Sequence, residues 1–264
     1  METRNKTNVE QFAVHLNKAR ETGEGVQPVI RLNPDLTIDE AYAVQLFTIN
    51  EYVKAGHRIT GKKIGLTSRV VQETLGVDEP DYGHLLDSME VENRGVVPFT
   101  KVLQPKVEGE LAFILKEDLS GPNVTTLDVL KATDVIVPAI EIVDSRIKDW
   151  KITLEDTVAD NASSGLYVLG ERTKKVSELD LKQIGMAVFK NDELQNTGAG
   201  AAALGNPAKC VAWLANKLAR YDIKLKAGEV ILSGALSAMV DAAPGDHFRV
   251  KFQELGEVEI TFSN

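Results

Sequence analysis

The feature that most restricts the fold is a carboxylate set inside a strand with no other charged member. Residues 135–143 read Val-Ile-Val-Pro-Ala-Ile-Glu-Ile-Val, a run apolar enough to be covered on both faces. Glu141 interrupts it. An ionised carboxylate without a partner is costly to bury, so the chain must bring positive charge to Glu141. Arg146, a lysine or a metal ion would each serve.

A second stretch repeats the problem: Gln104-Pro105-Lys106-Val107-Glu108-Gly109-Glu110-Leu111-Ala112-Phe113-Ile114-Leu115. Side chains two apart in a strand share a face. Glu108 and Glu110 therefore project together, with Val107, Leu111 and Phe113 on the opposite face. Two neighbouring carboxylates repel unless positive charge lies between them, and a divalent cation is the simplest remedy. Oxygen-only ligands favour Mg²⁺ or Mn²⁺ over zinc. The four histidines, His15, His57, His84 and His247, show no paired ligand spacing and read as surface or packing residues.

The rest of the chain divides by its periodicity. Thr37 and Glu40 have capping-box spacing, and Tyr42, Leu46, Ile49 and Val53 then recur on one helical face until Gly56. Val9 to Ala19 carries a weaker helical pattern, with Phe12 and Leu16 four apart. From about Arg58 the signals change to short strands at Phe113–Leu115, Val135–Val143, Leu166–Leu169, Met186–Phe189 and Val230–Ser233. Near the end Phe248, Val250 and Phe252 alternate, as do Val258, Ile260 and Phe262, with Gly256 in the turn of the predicted antiparallel hairpin. One helix interrupts the strands, with Asn206 as N-cap, Pro207 at its first position, and Val211, Leu214, Leu218 and Tyr221 on one face. The expected architecture is α+β: an N-terminal helical part, residues 1–60, and a β-rich catalytic domain, residues 61–264.

Composition excludes several classes. Of 264 residues, 43% are hydrophobic and 26% charged, so a sizeable core is available. No apolar run approaches the roughly 20 residues that cross a bilayer, and the opening Met-Glu-Thr-Arg-Asn-Lys is polar. A cytoplasmic protein with no membrane partner is expected. The net charge of −9 argues against nucleic acid, whose binders concentrate lysine and arginine on one face. The short mixed run Glu171-Arg172-Thr173-Lys174-Lys175 reads as a solvated loop. A single cysteine, Cys210, excludes an internal disulfide and reads as packing. No P-loop, nucleophile elbow or dinucleotide fingerprint is present.

Three segments are more polar than plain core strands. Gly61-Lys62-Lys63-Ile64-Gly65-Leu66-Thr67-Ser68 places a cation in a glycine-flanked strand, and Glu79-Pro80-Asp81-Tyr82-Gly83 is turn chemistry carrying an acid. From spacing alone Lys63 is most simply an exposed lysine and Asp81 part of an Asx turn. Asp160-Asn161-Ala162-Ser163-Ser164-Gly165 is either a turn or a small polar binding loop.

In order and spacing these segments resemble the hydratase and decarboxylase branch of the fumarylacetoacetate hydrolase superfamily, across roughly residues 40–262. Leu103-Gln104-Pro105, Glu141-Ile142-Val143-Asp144-Ser145-Arg146, Asp156-Thr157-Val158-Ala159-Asp160-Asn161 and Leu232-Ser233-Gly234-Ala235-Leu236 carry the resemblance with them. It implies a mixed β roll or barrel-like sandwich, a Mg²⁺ or Mn²⁺ site formed by Glu108, Glu110 and Glu141, and a small 2-oxo acid as substrate. It also implies that Lys63 and Asp81 act at the substrate, Asp81 in proton transfer or water activation and Lys63 in holding an enolate or carboxylate. Ser163 and Ser233 are the implied hydrogen-bonding positions for the substrate.

The activity implied first is hydration of 2-hydroxypenta-2,4-dienoate to 4-hydroxy-2-oxopentanoate, in the meta-cleavage catabolism of aromatic compounds. Decarboxylation of 2-oxo-3-hexenedioate passes through the same kind of dienolate and is the alternative. Hydration of longer dioates and a catalytically silent metal-binding assembly subunit are further ones. A homo-oligomer associated with a sister enzyme of the same pathway is also implied. Hydrolytic members of the superfamily commonly use an aspartate as third ligand and a His/Glu pair to activate water. Here the third ligand is Glu141 and no such pair is evident, which turns the expectation away from C–C hydrolysis.

Overall fold

The computed structural model describes residues 2–264, so Met1 of the polar opening lies outside them. Three helices come first, α1 (Glu2–Thr22), α2 (Val29–Leu32) and α3 (Ile38–Lys54). They are followed by β1 (Ile59–Gly65), α4 (Arg69–Leu75), β2 (Asp81–Leu86), β3 (Glu90–Val91), β4 (Gly95–Val97), β5 (Lys106–Leu115), α5 (Thr126–Ala132) and β6 (Thr133–Val143). The remainder adds α6 (Leu154–Ala159), β7 (Ser164–Leu169), β8 (Gly185–Lys190), β9 (Glu193–Ala199), α7 (Pro207–Leu218), β10 (Val230–Ala235), β11 (Val240–Asp241), β12 (His247–Phe252) and β13 (Gly256–Phe262).

The strands form two mixed sheets, the barrel-like α+β arrangement expected. The larger runs β2-β1-β10-β5-β6-β7-β3, with β11 also paired to β5, and the smaller runs β4-β13-β12-β8-β9. The two acid-bearing strands, β5 and β6, are neighbours in the middle of the larger sheet. Their antiparallel register sets Glu108 opposite Glu141 and Glu110 opposite Ala139. On the other face of these strands, Val107, Leu111, Phe113, Ile140 and Ile142 share one core with Val188, Phe248, Val250, Val258 and Ile260 of the smaller sheet.

Gly109 marks the closest approach of the two layers. A Cβ there would lie 2.3 Å from Met186 Sδ and 2.7 Å from Val250 Cγ1. The residue between the two glutamates faces the second sheet, while the glutamates face away from it. Helices close the other side: α1 packs on α3, and α3 on α6, with Phe12, Leu16 and Tyr42 joined to the same core.

Several local expectations hold. The capping box of α3 forms, Glu40 N donating to Thr37 Oγ1 and Thr37 N to Glu40 Oε2. Asn206 caps α7 by accepting from Ala208 N at 3.1 Å, and Val211, Leu214, Leu218 and Cys210 are buried. The C-terminal hairpin pairs Phe248 with Ile260 and Val250 with Val258. Two expectations fail. Residues 79–83 are not simply a turn, because Asp81 begins β2, opposite Gly65. The buried face of α3 is Ala41, Tyr42, Val44, Gln45 and Ile49, while Val53 is exposed. Gln45 is drawn inward because its Nε2 donates to the carbonyls of Tyr82 and Val158, at 3.0 and 2.8 Å.

Gly109→Ala should therefore strain the interface between the sheets. Overpacking of this kind costs about 1–3 kcal/mol, read as a lower urea midpoint. An unchanged midpoint would show that Met186 and Val250 have room to yield.

Candidate metal centre and substrate cavity

Glu108, Glu110 and Glu141 each offer an oxygen within 4.8 Å of the others. Glu110 and Glu141 are buried and Glu108 half-buried. Lys63 approaches this group from β1, its Nζ 3.2 Å from Glu141 Oε1. Far from being an exposed lysine, it is 3% exposed. The cause is sheet order: β1 pairs with β10 and β10 with β5, aligning Lys63 with Leu232 and Ala112 across three strands. Arg146, the other partner considered for Glu141, goes to Asp160 instead. Glu110 Oε2 accepts from the Gly234 N–H at 2.7 Å, beside a register shift in β10 between Leu232 and Ala235.

Asp81 is buried close by, so four acids share one ammonium among the described residues. Burial and then the charge of Glu141 push Glu108 up to about 7. Burial, Glu141 and Glu108 hold Glu110 well above the usual carboxylate range. Burial raises Glu141 and Asp81 too, against the opposing pull of Lys63. Burial by itself would lower Lys63, but Glu141, Asp81, Glu108 and Glu110 together raise it, which keeps it charged. Glu110 Oε1 and Glu141 Oε2 have no hydrogen-bond partner. A hard divalent cation answers each deficit, because it supplies charge and binds carboxylate oxygens directly. The donor set fits such an ion and lacks the nitrogen and sulfur donors common in zinc sites.

A cavity of about 370 Å³ opens on this cluster. Its polar lining includes Lys63, Asp81, Lys106, Glu108 and Ser163, and its apolar lining Leu66, Val71, Val143, Trp150, Ile152 and Met239. Ser163 arrives on a strained turn in which Asn161, Ala162 and Ser163 all have positive φ, 55°, 52° and 53°. Such backbone costs about 1–2 kcal/mol per residue and needs outside support. Asn161 supplies some by gripping the His84 backbone, accepting from N at 2.8 Å and donating to O at 2.9 Å. Arg146 supplies more, donating to the Asp160 carboxylate and to the carbonyls of Asp160 and Ser164. The segment 160–165 is thus both a turn and a cavity wall.

Gln104 fixes another wall. Its Nε2 donates to the carbonyls of Ser145 and Ile147, its Oε1 accepts from Asp149 N, and its carbonyl accepts from Trp150 Nε1 at 3.0 Å. Of the expected site residues, Lys63, Asp81, the three glutamates and Ser163 come together. Ser233 does not join them: it is fully buried on β10, its hydroxyl lacks a partner, and it does not line the cavity. His84 is buried in the core, and burial followed by Lys62 pushes it down to about 3, so it stays neutral. Sequence reasoning missed Lys106, Trp150 and the Gly234 N–H. The period-two row Lys106, Glu108, Glu110 was the available signal for the first; the other two depend on loop and bulge geometry.

Fold and site together define a two-sheet protein that can hold a divalent ion by three carboxylates beside a cavity of mixed polarity. The chain belongs to the fumarylacetoacetate hydrolase family, whose Fumarylacetoacetate (FAA) hydrolase C-terminal model matches residues 76–263. A 2-keto-4-pentenoate hydratase from Paraburkholderia xenovorans (strain LB400) is 46% identical over 255 residues, 97% of this chain and 95% of the relative. A 2-hydroxypent-2,4-dienoate hydratase from Pseudomonas putida is 48% identical over 219 residues, 83% of this chain and 99% of the relative. Among solved structures, 4-oxalocrotonate decarboxylase from Pseudomonas putida G7, complexed with magnesium and adipate, matches with a TM-score of 0.94 at 38% identity, covering 97% of this chain and 98% of that one.

The raised carboxylates link metal, protons and stability. Between about pH 4.3, where an unfolded glutamate ionises, and about 7, the metal-free fold retains a proton on Glu108 that the unfolded chain has released. Glu108 therefore contributes a loss of stability as pH rises through that window, and bound metal opposes the loss. The stabilisation conferred by Mg²⁺ over chelator should grow from pH 5 to pH 8 by about 1–3 kcal/mol, at ~1.4 kcal/mol per pKa unit. Urea melts at both pH values measure it; an equal increment at the two would contradict the raised carboxylates.

Proposed function

We propose that this chain is a hydro-lyase that adds water to 2-hydroxypenta-2,4-dienoate, forming 4-hydroxy-2-oxopentanoate in the meta-cleavage breakdown of aromatic compounds. The observation that carries the reading is the make-up of the cavity. Apart from Lys106, which is paired with Asp241, its charged lining gathers around one carboxylate cluster with Lys63 and Asp81, while Leu66, Val71, Ile152 and Met239 suit the vinyl end of a short monoacid. Identities of 46% and 48% to relatives named for this hydration support it.

Mg²⁺ or Mn²⁺ held by Glu108, Glu110 and Glu141 would act as a Lewis acid toward the substrate carboxylate and 2-oxygen. Lys63, kept charged by its acidic neighbours, donates to the same oxygens and stabilises the dienolate as O2 loses its proton. Asp81, whose affinity for a proton is raised by burial, delivers a proton to C5, giving the conjugated enone. The Asp81 carboxylate then takes a proton from water as its oxygen adds at C4. C3 gains a proton equivalent to the one O2 lost, so one water is consumed. Ser163, beside Thr157, orients the carbon chain by hydrogen bonding.

Decarboxylation of 2-oxo-3-hexenedioate is the second reading, supported by the match to the decarboxylase fold and sequence. It asks for a cation at the far carboxylate, and Lys106, which could provide one, is already paired with Asp241. The hydratase reading carries with it a cytoplasmic homo-oligomer associated with a sister enzyme. No helix among the described residues is long and apolar enough to cross a membrane. All the residues given roles fall within 61–264, which we treat as the catalytic part, with 1–60 as its helical part.

With Mg²⁺ or Mn²⁺ the purified protein should convert the dienoate to a product heavier by one water, and chelation should stop it. Carbon dioxide release from the dioate with an inert dienoate would make it a decarboxylase. Glu108→Gln and Glu110→Gln should each lower kcat by about 10²-fold or more with the circular dichroism spectrum retained. Full activity in either would remove that residue from the metal centre.

A further inference from the structure

Lys106 begins the row Lys106, Glu108, Glu110 along one face of β5 and lines the same cavity as the carboxylate cluster. Two residues along a strand span about 7 Å, comparable to the length of a six-carbon dioate. An acid with one carboxylate at the metal centre would bring a second one to Lys106. Lys63 and Lys106 are the cations in the cavity lining, and Lys63 already faces the acids of the cluster.

The Lys106 ammonium is occupied, by a partner that lies mostly in water. It pairs with the Asp241 carboxylate and lies 5.4 Å from the centroid of the Trp150 ring. β11 sets Asp241 directly opposite Lys106. The Lys106 side chain is 22% exposed but that of Asp241 is 82% exposed, and ion pairs so open to water are weak. A substrate carboxylate entering the cavity competes with Asp241 for one ammonium, like for like.

We propose that the Lys106–Asp241 pair is the specificity latch of this site. Closed, it leaves the cavity selective for acids whose far end is apolar. Open, it gives Lys106 to the second carboxylate of a dioate. Lys106 is the specificity-determining residue and Asp241 positions it. The inference rests on the proposed function only in taking this cavity as the place where the substrate binds.

The test is the affinity of the Mg²⁺-loaded protein for two unreactive six-carbon acids, adipate and hexanoate, by calorimetry. Asp241→Asn should raise the preference for adipate over hexanoate by about tenfold, the scale of one charge-assisted hydrogen bond. Lys106→Gln should lower that preference below the parent value, and the double variant should show none of the gain. An unchanged preference in Asp241→Asn, or a gain that survives in the double variant, overturns the latch. If Asp241→Asn does not fold, Lys106→Gln decides alone, since an undiminished adipate preference would overturn the proposal. Neither acid is turned over, so a chain that proved to be a decarboxylase would fail the hydratase assay and still give this binding pattern.

Discussion

Four carboxylates facing one ammonium in a largely dry interior is the constraint on which the rest of this structure depends. Glu108, Glu110, Glu141 and Asp81 cannot all ionise beside Lys63 alone, and the upward displacement of their pKa values expresses that. A protein under this constraint can protonate the acids or recruit positive charge. The larger sheet is arranged for the second course. Its strand order brings Lys63 across from β1, and the irregularity in β10 brings the Gly234 N–H onto Glu110. Both contribute partial relief and leave oxygens of Glu110 and Glu141 without a hydrogen-bond partner. A divalent ion held by the three glutamates would supply the remaining charge, and its binding would then add to the stability of the fold.

The same strand that holds the acids also holds the two sheets together. Val107, Leu111 and Phe113 are buried against the smaller sheet while Glu108 and Glu110 serve the cavity side. Strand periodicity separates packing from chemistry within ten residues, and Gly109 shows how tightly the two are joined. It carries no side chain because the second sheet leaves no space for one.

That period-two logic is why so much was legible in the sequence. Glu108, Glu110 and Glu141 stand out against apolar surroundings, and the capping box of α3, the Asn206 cap of α7 and the C-terminal hairpin are all local signals that the fold preserves. What was not legible depends on which distant segments become neighbours. Lys63 reads as an exposed lysine until the parallel pairing of β1 with β10 buries it. Gln45 lies outside the apolar row expected on α3, and its burial depends on the carbonyls of Tyr82 and Val158, which are distant in sequence. The edge strand β9 is polar and mostly exposed, so it shows no alternation to find. The segment of Ser233 was legible as part of the site, but the bond from the Gly234 N–H to Glu110 depends on an irregular register that no side-chain pattern announces.

The division between sheet and loops also explains why neighbouring activities share this fold. The carboxylate cluster and Lys63, on which the proposed dienolate chemistry rests, sit on β1, β5 and β6 and are fixed by hydrogen-bonded register. The rest of the lining comes from loops and strand ends, Trp150 and Ile152 from one loop, Met239 from the approach to β11, and Lys106, the proposed specificity-determining residue, from the start of β5. Gln104 ties the Trp150 loop to the start of β5, and β11 pairs with that same end of the strand. Loops accept substitution more readily than a paired strand does. The mouth of the cavity can therefore change while the paired strands that carry the carboxylate cluster keep their register.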